Sequence, residues 1–235
     1  ERSINEAKAA DVELADHALT IYAGKNTIGD APSPLPDYAV LDEAHHLFDA
    51  ADGAFSTFLS GREVRELSGW LGVADKTGVL GRVEWALPFV GGETLQGYVQ
   101  KLRDLGSKLP QEGWLQRLHA GNDGLNVGEE FLRRVVYYAQ DLNPDARIDG
   151  NMNLEAPLPG DAEMLEATVA FGDVLGEMRS LLKKMSDYID GSLETLGENN
   201  PEVASRLQGV IRSCELKDEL FLKPWCELLK TMGED

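Results

Sequence analysis

The sequence predicts a mainly α fold, with a small α/β part over residues 1–60 and a helical part over 61–235 that ends in a long antiparallel hairpin. Three observations carry this reading. Apolar residues recur at helical spacing through most of the chain after Gly61. Strand-like runs are confined to the first part, at Val12 to Ala15 and Tyr38 to Leu41. Two seams of apolar residues, spaced alternately by three and four, lie on either side of Asn200-Pro201.

Taken in order, residues 3–11 have helix-forming composition, followed by the short strand at 12–15 and a short helix or turn from His17 to Ala23. Residues 24–37 carry two glycines and three prolines, Pro32, Pro34 and Pro36, and read as a loop. The central strand covers about 38–41, and Ala44, Leu47, Phe48, Ala51 and Phe55 predict a helix over about 43–58. Beyond Gly61, helices are expected at Arg62 to Leu71, Leu95 to Leu105, Gly113 to His119 and Val127 to Leu142. Residues 72–93 are Gly-rich and ambiguous, and Asn143 to Gly160 is a long polar connection. Phe171, Leu175, Met178, Leu182, Met185, Ile189, Leu193 and Leu196 then form the first long seam, on a helix from Asp161 to Leu196 that spans roughly 50 Å. Asn200-Pro201 is a cap followed by proline at the first helical position. The matching seam runs through Val203, Leu207, Val210, Cys214, Phe221, Trp225, Leu228 and Met232.

At 235 residues the chain is long enough for one large domain or two small ones, with ample surface to bury. Its hydrophobic fraction of 43% and charged fraction of 27% are those of an ordinary folded protein. No apolar run approaches the roughly 20 residues needed to span a bilayer, and no basic segment precedes an apolar one as a secretory leader requires. The chain begins at Glu1 without an initiator Met, so it reads as an excised piece of something longer. Cys214 and Cys226 fall on apolar helical positions and read as buried free thiols, compatible with a reducing cytoplasm. A net charge of −19 makes this piece a poor main clamp for DNA, because displacing phosphate counterions takes Lys and Arg.

The chemistry-bearing stretch is Tyr38-Ala39-Val40-Leu41-Asp42-Glu43-Ala44-His45-His46. Four apolar residues read as a short buried strand, and two acids stand at its C-terminal end, where open α/β sheets bind ligands. This pattern looks like the Walker B segment, or motif II, of a DEAH-box helicase. In that chemistry one carboxylate holds Mg²⁺, usually through water, and the next orients the water that attacks the γ-phosphate.

The surroundings resemble the XPD/DinG-like iron–sulfur DNA helicases. The opening Glu1 to Asp11 is similar to the segment that follows the last cluster cysteine in that family, and Ala15-Asp16-His17-Ala18-Leu19 resembles its Asn-His-Ala-Leu stretch, with Asp16 in place of Asn. Glu112-Gly113-Trp114-Leu115-Gln116-Arg117-Leu118 resembles a segment in the helical insert of bacterial members. The resemblance implies that residues 1–60 belong to the first motor domain and 61–235 to the Arch insert that helps enclose single-stranded DNA. It implies that Asp42 holds Mg²⁺, that Glu43 positions the attacking water and that His45 relays nucleotide state. It also implies ATP as cofactor and an iron–sulfur cluster whose four cysteines lie upstream of this piece, in a DNA-repair protein of the cytoplasm.

Other chemistries find less support. Glu43-Ala44-His45-His46 contains a Glu-x-x-His spacing, but a di-iron bundle needs a second copy, and neither His17 nor His119 has a Glu three residues before it. A P-loop, Gly-x-x-x-x-Gly-Lys-Ser/Thr, is absent; the nearest string, Gly69 to Thr77, carries Asp75 where the second Gly belongs. No arginine-finger motif and no second motor domain follow. Trp114 with Arg117, Arg133 and Arg134 is the expected place for weak contact with single-stranded DNA, by stacking and by charge. The alternative is a non-enzymatic acidic helical module that binds protein partners, its DEAH string incidental.

Overall fold

The computed structural model describes residues 10, 12, 14–25, 38–73, 77–120, 124–142 and 161–233. The chain divides into two compact units, Glu1–Thr57 and Phe58–Asp235, each described by itself below. Both are helical: the described residues form α-helices joined by turns and contain no strand, so the fold is mainly α.

The first unit holds α1 (His17–Lys25) and α2 (His46–Phe55), which pack against each other. Asp16 caps α1: its Oδ1 accepts the Leu19 N–H at 2.6 Å. Asp and Asn are equally good N-caps, so Asp16 performs locally what Asn would. The helix expected over 43–58 is shorter, because residues 42–45 form a turn and Ser56 leaves the helix in extended conformation. The strands expected at 12–15 and 38–41 do not form among the described residues. A strand exists through pairing, and Tyr38 to Leu41 has no partner there: Tyr38 is 92% and Val40 99% exposed. The expected elements at 3–9 and 26–37 lie outside the described residues.

The second unit contains α3 (Gly61–Leu71), α4 (Val79–Val90), α5 (Glu93–Gly106), α6 (Trp114–Ala120), α7 (Val127–Leu142), α8 (Ala162–Asn199), α9 (Pro201–Lys217) and α10 (Lys223–Gly233). Its centre is α8, 38 residues long, which packs against α5, α7, α9 and α10. The sequence seam is buried as expected at Phe171, Leu175, Met178, Leu182, Met185 and Ile189. Val174 and Leu181 are buried too, because α8 is covered on more than the hairpin side. Phe131 of α7 stacks on Phe171, centroids 5.1 Å apart.

Sharp local signals fix the ends of these helices. Ser60 and Glu63 form a capping box: Ser60 Oγ accepts the Glu63 N–H and Glu63 Oε2 accepts the Ser60 N–H. Gly72, at φ 78°, ends α3 in the left-handed conformation. Asp161 Oδ1 accepts the Met164 N–H at the start of α8. Pro201 opens α9 as expected, although the Asn200 side chain makes no capping bond.

Two features depart from the sequence reading. The ambiguous stretch 72–93 contains α4, whose Val79, Leu80, Val83 and Ala86 are fully buried. The last long helix is interrupted by a π-helical turn, Asp218–Leu222. Its wider turn rotates the following face by about one residue. The buried positions after Cys214 are therefore Leu222, Trp225 and Leu229, while Phe221, Leu228 and Met232 are only partly buried. Among the described residues, no helix is long and apolar enough to cross a membrane.

Candidate active site

Asp42, Glu43, Ala44 and His45 form a turn that leads directly into α2. The His46 N–H donates to the Glu43 carbonyl at 3.0 Å, and the Leu47 N–H to the Ala44 carbonyl at 3.1 Å. Glu43 sits at φ 49°, the single non-glycine residue with positive φ among those described. A bulky L-residue enters that region at a cost of about 1–2 kcal/mol. Its carboxylate then lies 3.3 Å from His45 Nδ1, with both side chains about two-thirds exposed. The His45 and His46 rings lie 4.0 Å apart at 40°.

The turn thus brings Asp42, Glu43 and His45 to one exposed corner. Asp42 offers a single hard-oxygen ligand, which fits the way Mg²⁺ is held by one or two carboxylates together with substrate phosphates. The described residues contain no group of three or more His, Cys, Asp or Glu that converge to hold a metal unaided. The sequence carries no P-loop motif to cradle a phosphate. The Gly72 of its nearest sequence approximation is the cap of α3, and residues 74–76 lie outside the described ones. His17 opens α1, and in the second unit His119 lies exposed near the end of α6.

In the second unit, the residues proposed from sequence for DNA contact are held in place by their neighbours. Arg117 donates from Nε to Glu129 Oε2 at 3.0 Å and from Nη2 to Glu129 Oε1 at 2.5 Å, and its Nη1 donates to the Glu112 carbonyl at 2.8 Å. Burial opposes ionisation of Glu129, but Arg117 and the Gln111 N–H outweigh it and hold the carboxyl below its ordinary range. Arg133 and Arg134 both engage Glu130, from Nη2 at 2.5 Å and Nε at 2.7 Å, and Arg134 also pairs with Glu163 of α8. Burial raises the Glu130 pKa as well, and the two guanidiniums overcome it. The Trp114 ring lies against the backbone at Gly61, where an added Cβ would come within 2.4 Å of it. Each cation is matched by a carboxylate, so little positive charge is left to replace phosphate counterions.

The remaining tryptophans divide clearly. Trp225 is buried, and Trp70 donates to Ser213 Oγ at 3.0 Å. Trp85 is 46% exposed. Its setting, with Arg82 three residues before it and Arg206 from α9, escaped the sequence reading because 72–93 gave no clear helix. The one available signal was Arg82, Trp85 and Phe89 at steps of three and four. Comparison of the chain with family models, with curated proteins and with solved structures returns no match.

Proposed function

We propose that this chain is a fragment of an XPD/DinG-like, ATP-dependent DNA helicase that spans motif II and the helical Arch-like insert. The observation that carries the reading is the junction at Leu41-Asp42-Glu43. An apolar run with no backbone partner among the described residues ends in two adjacent exposed carboxylates, and a helix starts three residues later. Tyr38 to Leu41 is the kind of segment that completes a sheet supplied by the rest of a motor domain. The left-handed Glu43 supports a functional turn, since strained residues gather at active sites.

In this reading, Asp42 holds Mg²⁺ through water, Glu43 orients the hydrolytic water and His45, 3.3 Å from Glu43, relays the nucleotide state. ATP binds chiefly through a P-loop supplied upstream, and the iron–sulfur cluster belongs to that upstream segment too. The piece alone hydrolyses no ATP and unwinds no duplex. The test is the reading frame on both sides of the piece. A Gly-Lys-Ser/Thr P-loop and four cysteines upstream, with a second motor domain downstream, support the proposal. A frame that starts near Glu1 and stops near Asp235 overturns it.

A specific observation favours a second reading, an acidic helical interaction module. Arg117, Arg133 and Arg134 are all ion-paired, which leaves the net charge of −19 to dominate contacts with partners. Salt-sensitive binding of single-stranded DNA favours the helicase insert; salt-insensitive binding of a protein partner favours the module.

A further inference from the structure

A cavity of about 550 Å³ opens between α4 and α9. Arg82 and Trp85 line it from α4, and Ser205, Arg206 and Gly209 from α9. Leu207 and Val210, both fully buried, supply its apolar floor. The Arg206 guanidinium carbon stands 4.7 Å from the centroid of the Trp85 ring, and Phe89 lies on the same aromatic cluster, 5.7 Å from Trp85. Arg82 is exposed and makes no ion pair among the described residues, unlike the arginines of α6 and α7.

We infer that this groove binds a small planar anion of the nucleoside monophosphate class, its ring against Trp85 and its phosphate on Arg82 and Arg206. The chemistry of each wall selects one part of that ligand. Arg206 covers one face of the indole, and the surface it leaves, on a residue 46% exposed, accepts a flat ring by stacking, while guanidinium groups bind phosphate oxygens in bidentate fashion. The cavity lies in the range of small-molecule sites, roughly 300–1,000 Å³, and accommodates a single nucleotide unit. A long strand is disfavoured, because the chain's net charge of −19 repels its further phosphates. Glu202 is the competing acid, with its Oε1 2.7 Å from Arg206 Nη2. That pair is exposed and therefore weak, so the ligand phosphate displaces it. The inference rests on the groove alone and stands or falls apart from the reading of Asp42 and Glu43.

The test is calorimetric titration of the full chain with dAMP at low salt. Saturable binding is expected, weakened at least tenfold by Arg82→Glu and by Trp85→Ala and tightened by Glu202→Gln. Gly209→Phe provides a variant that plugs the groove with the fold intact, since a Cβ there meets nothing within 4 Å. It should abolish binding while circular dichroism and the melting curve stay unchanged. Absence of dAMP binding, or binding that all four variants leave unaltered, overturns the inference. A twelve-nucleotide oligodeoxyadenylate that binds the groove more than tenfold tighter than dAMP also overturns it, in favour of a strand path.

Discussion

Trp225 Nε1 donates to the Phe58 carbonyl at 2.6 Å, joining the first residue of the second unit to the first turn of α10. The Phe58 ring is 68% exposed, so it is the backbone that is anchored here. The indole is 1% exposed, and a buried indole N–H needs a partner. This contact closes the unit on itself, and residues 58–235 expressed alone are expected to fold. The check is helical circular dichroism with a cooperative thermal transition. Trp225→Phe, which keeps a ring and removes the donor, should lower stability by about 1–3 kcal/mol. A gradual, non-cooperative melt of 58–235 would refute its independence.

Arg117 and Glu129 form the most deeply buried ion pair described, with Glu129 1% exposed and the Arg117 side chain one-third exposed. Removing one partner of such a pair leaves an uncompensated charge. Glu129→Gln is expected to cost roughly 2–3 kcal/mol, less than a fully enclosed pair because water reaches the guanidinium. The Glu129 pKa is held below its ordinary 4.5, so its contribution is present above that pH and is lost as the pH falls through the folded value. Denaturant titrations of wild type and Glu129→Gln should therefore differ clearly at pH 7 and converge progressively below pH 4.5. A gap that stays constant into acid would mean that the charge is not what Glu129 contributes.

The two cysteines are expected to differ in reactivity. Burial pushes the Cys214 thiol up to about 11, and it raises the half-buried Cys226 thiol as well. Thiolate is the reactive form, so a disulfide reagent at pH 8 should modify the native protein slowly, Cys226 ahead of Cys214. The folded state keeps Cys214 protonated where the unfolded chain, with a thiol near 9.0, has lost its proton. Stability should therefore be intact below pH 9 and fall by about 2–3 kcal/mol as the pH rises to 11. Cys214→Ala removes this alkaline slope; a slope that persists in the variant would assign it elsewhere.

What was legible in the sequence was what depends on local period. Phe171, Leu175, Met178, Leu182, Met185 and Ile189 announce α8 because a long helix repeats its buried face every three or four residues. The same counting slips beyond Cys214, where the π-turn at Asp218–Leu222 shifts the buried set to Leu222 and Leu229. Helix α4 was hidden because Gly78, Gly91 and Gly92 read as disruption, whereas they flank the helix and the latter two take positive φ just beyond its end. At the candidate site, the adjacency of Asp42, Glu43 and His45 was readable, since it is built into one turn. The exposure of Val40 was not, because burial of a strand depends on partners remote in sequence. Arg133 and Arg134 could have been paired with Glu130 from their three- and four-residue spacing. The Arg117–Glu129 pair spans a loop, and no local rule gives it.

Glu43 links backbone strain to the proposed chemistry, and substitution can separate the two. Its φ of 49° suits glycine far better than glutamate. Glu43→Gly should therefore stabilise the turn and the start of α2 by up to about 1 kcal/mol, while Glu43→Gln keeps the strain and leaves stability unchanged. The readout is hydrogen-exchange protection of the His46 and Leu47 amides, which bond back to Glu43 and Ala44. If Glu43 orients the hydrolytic water, both variants should abolish ATP turnover in the proposed parent helicase, although only the glycine variant is stabilised. A glycine variant that gains protection yet still turns over ATP would leave the strain real and remove Glu43 from the reaction. Loss of turnover with no gain in protection would mean instead that the left-handed turn carries no strain to relieve, with the carboxylate's role intact.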